Sequence, residues 1–324
     1  MRDSKGLWSD GEINELHLAA GYEEEVAEAQ HRSLVEDYGA PPFTVLDARQ
    51  GYWKERKRQW LALGIVAEEG RGIEKATANA AHPDHYSHRG AKTGGSSFDP
   101  FLTELLCAWF CPAGGGVLDP FAGGSVRGIV TAKMGLRYTG IELREEQVAA
   151  NIAQAKSIGL EPLWVCGDSA RLDEYIGAGA KYDMIFTCPP YYNLEEYSGE
   201  EADGSAKQTY TQFLGWYLGI FQQAVKHLRA NRFLVVVVGD LRDKRGCYRN
   251  FVFDSARCFL NCGLHYYNEA VFVTPIGSLP IRTAAAFPKG RKLGKGHQNV
   301  LVFYKGDPRE IGKHFPREVQ LAEL

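Results

Sequence analysis

Several common sequence signatures are absent from this chain of 324 residues, and each absence excludes a class of protein. The seven cysteines form no CxxC pair and lie mostly among apolar residues, so we expect reduced thiols in a cytoplasmic protein and not a small disulfide-stapled scaffold. There is no GxGxxG fingerprint and no GK[ST] phosphate loop, which argues against hydride and phosphoryl transfer. No charged-then-apolar leader begins the chain and no apolar run is long enough to cross a bilayer, so we expect no membrane partner.

Acidic residues are missing from one long segment near the carboxyl end. Residues 1–50 hold eleven of the 40 acids and four of the 37 basic residues, so the rest of the chain is mildly basic. No acid occurs between Pro275 and Gln298. The basic residues of this segment are Arg282, Lys289, Arg291, Lys292 and Lys295, with His297 beside them. We predict that residues 275–298 form a basic loop that contacts nucleic-acid phosphates.

The first 97 residues show no sustained alternation of strands and helices. Residues 1–69 are predicted to be a helical extension, and its helix over roughly Gln50 to Leu63 mixes three aromatic residues with four basic ones. Such a helix either follows a nucleic-acid backbone or packs its aromatics on the main domain. Residues 70–97 are predicted to be a linker or mobile loop. It contains His82, His85 and His88, but the segment shows no regular secondary-structure pattern that would hold ligands in place, so we predict no metal site.

From Phe98 onward, strand patterns alternate with helical ones. The seven predicted strands are Gly116–Asp119, Arg137–Glu142, Leu163–Cys166, Tyr182–Thr187, Phe233–Val238, Tyr266–Thr274 and Asn299–Tyr304. This alternation predicts an α/β fold with a doubly wound, mostly parallel sheet over residues 98–305, followed by a tail over 306–324. Because the basic loop and not a helix joins the last two strands, we expect them to be an antiparallel edge pair.

Glycines and acids follow the first three strands of this sheet. Gly123 and Gly124 lie in the turn after the first strand, where they let the backbone pass close to a ligand. Asp119, Glu142 and Asp168 stand at three successive strand ends. Carboxylates in this arrangement suit a nucleoside-like ligand that also carries positive charge, although any one acid alone is more often a helix cap.

The fourth strand ends in the sequence Thr187-Cys-Pro-Pro-Tyr191. Two consecutive prolines cannot continue a sheet ladder, and they hold the backbone in a rigid extended turn. The residues on either side are therefore presented in a fixed geometry at the edge where ligands bind to such sheets. We predict that the chemistry takes place here, beside a run from Glu195 to Gly204 that is either a loop ordered by substrate or an ordinary solvated loop.

These motifs, in this order, resemble those of the S-adenosylmethionine-dependent amino methyltransferases of DNA, which modify the exocyclic nitrogen of cytosine or adenine. They are LDPFAGG from Leu118, GIE from Gly140, GDS from Gly167 and TCPPY from Thr187, with SFDPF from Ser97 before them. The resemblance covers roughly residues 97–305, and the closing part is similar to methylases carried by phages and prophages. It implies a Rossmann-like methyltransferase sheet, S-adenosylmethionine as cofactor, and double-stranded DNA as partner.

The cofactor-binding residues implied by this resemblance are Phe98, Asp99, Asp119, Phe121, Gly123, Glu142 and Asp168. Asp119 would contact the methionine amino group of the cofactor, Glu142 the ribose hydroxyls, and Asp168 the adenine amino group. Phe98 and Asp99 would border the methionine end.

The catalytic residues implied by the resemblance are Cys188, Pro189, Pro190 and Tyr191. Cys188 and the carbonyl of Pro189 would accept hydrogen bonds from the amino group of an extruded base, and Tyr191 would stack on that base. Family members usually have Asp, Asn or Ser where this chain has Cys188, and sulfur is a weak acceptor. Serine is nearest in size and is typical of enzymes acting on cytosine, so we favour cytosine N4 over adenine N6. Covalent attack by Cys188 at carbon 5 is disfavoured, because the Pro-Cys order of that mechanism is absent.

Other functions stay open at this point. A proline-proline-tyrosine turn also serves methyltransferases that act on RNA or on protein glutamine. A noncatalytic nucleic-acid-binding protein that keeps the fold is a further alternative, because fold alone does not assign a reaction.

Overall fold

The computed structural model describes residues 33–65, 98–192, 209–243, 245–315 and 318–324. Most of the predicted helical segment before residue 38, the linker with its three histidines, and the run from Glu195 to Gly204 lie outside these residues.

A single eight-stranded sheet organises the described chain. Its strands are β1 (Val45–Asp47), β2 (Gly116–Asp119), β3 (Arg137–Glu142), β4 (Leu163–Cys166), β5 (Tyr182–Thr187), β6 (Leu228–Val238), β7 (His265–Val273) and β8 (His297–Lys305). Their order in the sheet is β1-β7-β8-β6-β5-β2-β3-β4. Strand β8 runs antiparallel to both of its neighbours, and every other pair is parallel. The predicted mostly parallel α/β sheet is confirmed.

The predicted strand count of seven is wrong by one. The additional strand is β1, which pairs in parallel with β7 from Val45 opposite Val271 to Asp47 opposite Val273. The antiparallel pairing of β7 with β8 is confirmed, but the pair does not form the edge, because β1 covers β7. A three-residue strand within the extension was too short for its pattern to reveal this pairing.

Helices cover both faces of the sheet. They are α1 (Leu34–Tyr38), α2 (Gly51–Ala62), α3 (Pro100–Phe110), α4 (Val126–Lys133), α5 (Glu145–Ser157), α6 (Leu172–Ile176), α7 (Tyr210–His227), α8 (Phe251–Asn261), α9 (Leu279–Gly290) and α10 (Ile311–His314). Successive strand residues point to opposite faces. Phe186 accordingly belongs to the core with α2, α3 and α4, whereas Ile185 belongs to the core with α7 and α8. Each face thus has its own buried layer, as a doubly wound sheet requires.

The described part of the N-terminal extension belongs to the main domain. Trp53 and Trp60 of α2 are fully buried. Their ring nitrogens donate to Asp99 at 3.3 Å and to Glu104 at 2.7 Å. Arg56 of the same helix is paired with Glu104 at 2.6 Å. Of the two interpretations of this helix, packing on the main domain is therefore the one supported.

The prediction that residues 275–298 form a loop is wrong in part, because the segment contains helix α9. Pro280 lies in the first turn of α9, where a missing backbone donor costs nothing, and Pro288 lies near its end. These two prolines disguised the helix in the sequence, because proline usually marks its interruption. None of the α9 side chains is buried, so the helix stands on the surface.

Candidate active site

The glycine turn after β2 and the proline turn after β5 are joined by a direct hydrogen bond. Strands β2 and β5 are neighbours, so their carboxyl ends lie side by side. The hydroxyl of Thr187 donates to Oδ1 of Asp119 at 2.6 Å. Because Thr187 directly precedes Cys188, this bond fixes the start of the predicted catalytic turn against the predicted cofactor turn.

Asp119 is a buried anchor, and its predicted contact with the cofactor is not supported by the geometry. The side chain is fully buried and accepts four hydrogen bonds from the protein. Besides Thr187, the donors are Arg127 at 2.6 Å, Tyr138 at 2.9 Å and the backbone N–H of Phe121 at 3.1 Å. A carboxylate with this many donors has little capacity left for a ligand, so Asp119 lies behind the binding surface.

Arg127 is the counter-ion of Asp119 and also holds the glycine turn. It is buried, and one amino group of its guanidinium donates to the carbonyls of Phe121 at 2.7 Å and Ala122 at 3.0 Å. Burial, the largest influence, disfavours the charge, but Asp119 together with the smaller effects of Tyr138 and Cys188 outweighs it, so the pKa of Arg127 lies above its usual value. The sequence analysis missed this residue. Its signal was one basic residue in the otherwise apolar first turn of α4.

The glycine turn leaves open space for a ligand at Gly123. This residue has a φ of +54°, which favours glycine, and a Cβ built there would meet no atom within 4 Å. Its carbonyl accepts a hydrogen bond from Asn151 at 2.7 Å, and its N–H donates to Glu142 at 3.0 Å. The turn is therefore held from behind while its outer side stays clear.

Glu142 and Asp168 lie at the ends of β3 and β4 as predicted, and both are half-buried. Glu142 also accepts from the backbone N–H of Arg144 at 3.1 Å. One oxygen of Asp168 caps a short 3-10 helix by accepting from Ala170 at 2.8 Å. The other oxygen accepts no hydrogen bond from the residues that the structure describes, so it is available to a ligand.

Phe98, Asp99 and Phe121 are placed differently from one another. The half-buried ring of Phe98 lies 4.7 Å from the guanidinium carbon of Arg127, at the centre of the site. Asp99 instead caps α3 by accepting from Phe101 and Leu102 and pairs with Lys57 at 2.8 Å. Its predicted place beside the methionine end is thus not supported by these contacts. The ring of Phe121 packs 5.6 Å from Trp216 of α7, on the other face of the sheet.

The predicted catalytic turn is part of the same edge. Cys188, Pro190 and Tyr191 are half-buried, and Pro189 is buried. The hydroxyl of Tyr191 accepts from Gln298 of β8 at 3.3 Å, and its ring packs edge-on against Phe251 at 5.7 Å. The ring is thus held by strand β8 and helix α8, which gives a rigid surface for a planar substrate. No sequence signal pointed to Gln298 or Phe251.

The five predicted DNA-binding residues do not occupy equivalent places. Lys289 and Arg291 are exposed at the end of α9, and the guanidinium of Arg291 lies 5.3 Å over the ring of Phe287. Arg282 and Lys292 are half-buried on the same segment. Lys295 lies apart from them, beside the carboxyl end of β6.

These residues fit S-adenosylmethionine. The clear space at Gly123 accepts the passage of a ligand over the turn, and the available oxygen of Asp168 suits an exocyclic amino group. Glu142 adds a second carboxylate between them, suited to hydroxyl donors.

Within the described residues, no three His, Cys, Asp or Glu side chains are grouped as a metal site, and no helix there has the length and apolar character to span a membrane.

Part of the sequence, and the fold, are similar to those of known proteins. Residues 182–321 match the family model described as DNA methylase. No curated protein matches the sequence. Among solved structures, TrmN from Thermus thermophilus is 14% identical with a TM-score of 0.43, and the match covers 73% of this chain and 53% of that one. The chain thus spans about half the length of that protein.

Two further structures are similar at the same level. Magnesium protoporphyrin IX methyltransferase (ChlM) from Synechocystis PCC 6803, with bound SAH, is 12% identical with a TM-score of 0.42, over 64% of this chain and 82% of that one. A methyltransferase from Pyrococcus furiosus is 17% identical with a TM-score of 0.42, over 72% of this chain and 94% of that one. Sequence identities and TM-scores this low give no information about the activity of this protein. The family match confirms the predicted resemblance for residues 182–321.

Proposed function

We propose that this S-adenosylmethionine-dependent methyltransferase acts on DNA and methylates the exocyclic amino nitrogen of an extruded base, with cytosine N4 favoured over adenine N6. The observation that carries the proposal is the hydrogen bond between Thr187 and Asp119, since it holds the proline turn directly against the glycine turn. A substrate stacked on Tyr191 would then lie next to a methyl donor bound over Gly123.

The cofactor side of the reaction depends on three residues. Bound S-adenosylmethionine supplies an electrophilic methyl group on its sulfonium. Asp168 accepts from the adenine amino group and Glu142 from the ribose hydroxyls, while Gly123 gives the ligand room to pass. Asp119 does not touch the ligand in this proposal, and together with Arg127 it keeps the turn in shape.

The substrate side depends on the proline turn. An exocyclic amino group is a poor nucleophile, because its lone pair is shared with the ring. Cys188 and the carbonyl of Pro189 accept hydrogen bonds from its two N–H groups and so direct the lone pair toward the methyl group. Tyr191 stacks on the ring and fixes the approach, and positioning of this kind supplies much of the acceleration. The nitrogen releases one proton to water after the transfer.

Exposed cations support DNA as the substrate class. Lys289 and Arg291 lie on the surface helix α9 and the residue after it, and the segment 275–298 carries no acid to offset them. Phosphate contacts supply most of the affinity of such surfaces and make it depend on salt.

Transfer of labelled methyl groups tests this proposal. The protein is incubated with labelled S-adenosylmethionine and, in separate reactions, duplex DNA, single-stranded DNA, RNA and protein. We expect label on duplex DNA, and binding that weakens as the salt concentration rises. Label on RNA or protein alone would assign the enzyme to another class of substrate, and cofactor binding without transfer to any of them would contradict a catalytic role.

A further inference from the structure

Lys295 lies beside Tyr191 of the predicted catalytic turn, whereas Lys289 and Arg291 of the same segment are exposed on the surface. It is half-buried in the segment between α9 and β8. A Cβ built on Gly239, at the carboxyl end of β6, would lie 4.0 Å from Nζ of Lys295 and 3.5 Å from the hydroxyl of Tyr191. The ammonium and the phenol therefore approach the same point at the end of β6, beside the ring that is proposed to hold the substrate.

The ammonium of Lys295 makes no hydrogen bond and no ion pair with the residues that the structure describes. It lies 5.7 Å from the ring centre of Tyr248. Burial lowers its pKa, Asp240 opposes that effect, and Arg242 adds to it. The other titratable groups of its surroundings are Tyr191 and His297, and burial together with the charge of Lys295 lowers the pKa of His297. A cation that has lost part of its hydration here needs an acceptor.

The neighbouring cations provide a contrast. Lys289 and Arg291 are exposed. The end of the Lys292 side chain packs over Gly246, in the hairpin after β6. Only Lys295 among the five predicted DNA-binding residues approaches both Tyr191 and the end of a core strand.

We propose that Lys295 determines base specificity by donating a hydrogen bond to the ring carbonyl oxygen of an extruded cytosine. This inference rests on the proposed function. An ammonium offers three donors and no acceptor, which matches a carbonyl oxygen. Adenine carries a C–H at the corresponding place and would leave the ammonium without a partner. Gln298 contributes indirectly, since its hydrogen bond aligns Tyr191.

Methyl transfer by Lys295→Met tests the proposal. A contact with a base edge alters the rate and the choice of base, whereas a contact with a phosphate alters the salt dependence of binding by about one charge. We expect Lys295→Met to lower the single-turnover rate on cytosine by about tenfold or more and to raise the share of label on adenine. The salt slope, which is the slope of the logarithm of the DNA-binding constant against the logarithm of the salt concentration, should stay unchanged. Lys295→Gln, which keeps a donor, should recover part of the rate.

Two comparisons make the result decisive. Lys289→Met should lose about one unit of salt slope, as a phosphate contact does, and Lys156→Met, on α5 away from the site, should match the wild type. Cofactor binding and the melting temperature of Lys295→Met should match the wild type as well. The wild-type rate should fall as the pH rises through the lowered pKa of Lys295, because the donor charge is present below that pKa and lost above it.

Three results would overturn this assignment. If Lys295→Met behaves like Lys289→Met, the residue contacts a phosphate. If the wild type labels adenine and not cytosine, the specificity argument fails while the proposed function stands. If the wild type labels no nucleoside of DNA, the proposed function fails first, and this inference with it.

Discussion

Replacement of Arg127 by methionine removes the counter-ion of a fully buried carboxylate. Asp119 would keep three donors, from Thr187, Tyr138 and the backbone of Phe121, but it would have no cation. Loss of one partner of a buried ion pair costs about 3–5 kcal/mol in free energy of unfolding. The carbonyls of Phe121 and Ala122 also lose their donor, which adds to the loss, so about 3 kcal/mol is the least that we expect.

The change should be visible in thermal unfolding followed by calorimetry. About 2–4 °C of melting temperature corresponds to 1 kcal/mol in domains of 150–250 residues, so we expect Arg127→Met to melt about 6 °C or more below the wild type. The double variant Asp119→Asn with Arg127→Met removes both charges and should be more stable than Arg127→Met alone. Arg171→Met, which breaks an exposed pair with Glu174, serves as a control and should leave the melting temperature unchanged.

The reasoning on Asp119 would be refuted in either of two ways. An Arg127→Met variant that melts with the wild type would mean that the carboxylate needs no counter-ion. A double variant that melts lower than Arg127→Met by the full effect of Asp119→Asn alone would mean that the two charges are not coupled.

Three further predictions concern the site. Tyr191→Ala should abolish methyl transfer while calorimetric titration shows unchanged cofactor binding, and Tyr191→Phe should keep most of the activity. An active alanine variant would refute the stacking role of Tyr191. Asp168→Ala should weaken cofactor binding by about tenfold or more, because a hydrogen bond to a carboxylate contributes about 1.5–3 kcal/mol, whereas Glu174→Ala should bind as the wild type does. Cys188→Ser should keep or raise the methyl-transfer rate, since a hydroxyl oxygen accepts hydrogen bonds more strongly than sulfur, whereas Cys188→Val should abolish transfer. Label at carbon 5 of cytosine that disappears in the serine variant would instead make Cys188 a nucleophile.

The layout of the site could be predicted because it depends on local patterns. Strand ends are visible in the alternation of apolar runs and turns, and parallel strands bring their carboxyl ends to one edge. The ends of β3, β4 and β5 were therefore predicted correctly, and Glu142, Asp168 and Cys188 lie at or just after them. The roles of these three residues stay predictions, and of the three Cys188 lies within the residues that match a DNA methylase family model.

The partners of each side chain could not be predicted in the same way. Asp119 was expected to touch the cofactor, but Thr187, 68 residues away, and Arg127 both donate to it. Asp99 was likewise expected at the ligand, yet it is committed to Lys57 and to the cap of α3. Contacts between residues that are far apart in the sequence depend on how the chain packs, and the local periodicity of the sequence carries no information about them. The position of Lys295 beside Gly239 has the same origin.

The most direct test of the account is the identity of the methylated nucleoside. Duplex DNA that has reacted with the protein and labelled S-adenosylmethionine is digested to nucleosides, and the products are compared by mass spectrometry with authentic standards. The account predicts N4-methyldeoxycytidine, formed by the wild type and absent with Tyr191→Ala. A product methylated at carbon 5, or no methylated nucleoside from a protein that binds the cofactor, would contradict transfer to an exocyclic nitrogen held by the turn from Cys188 to Tyr191.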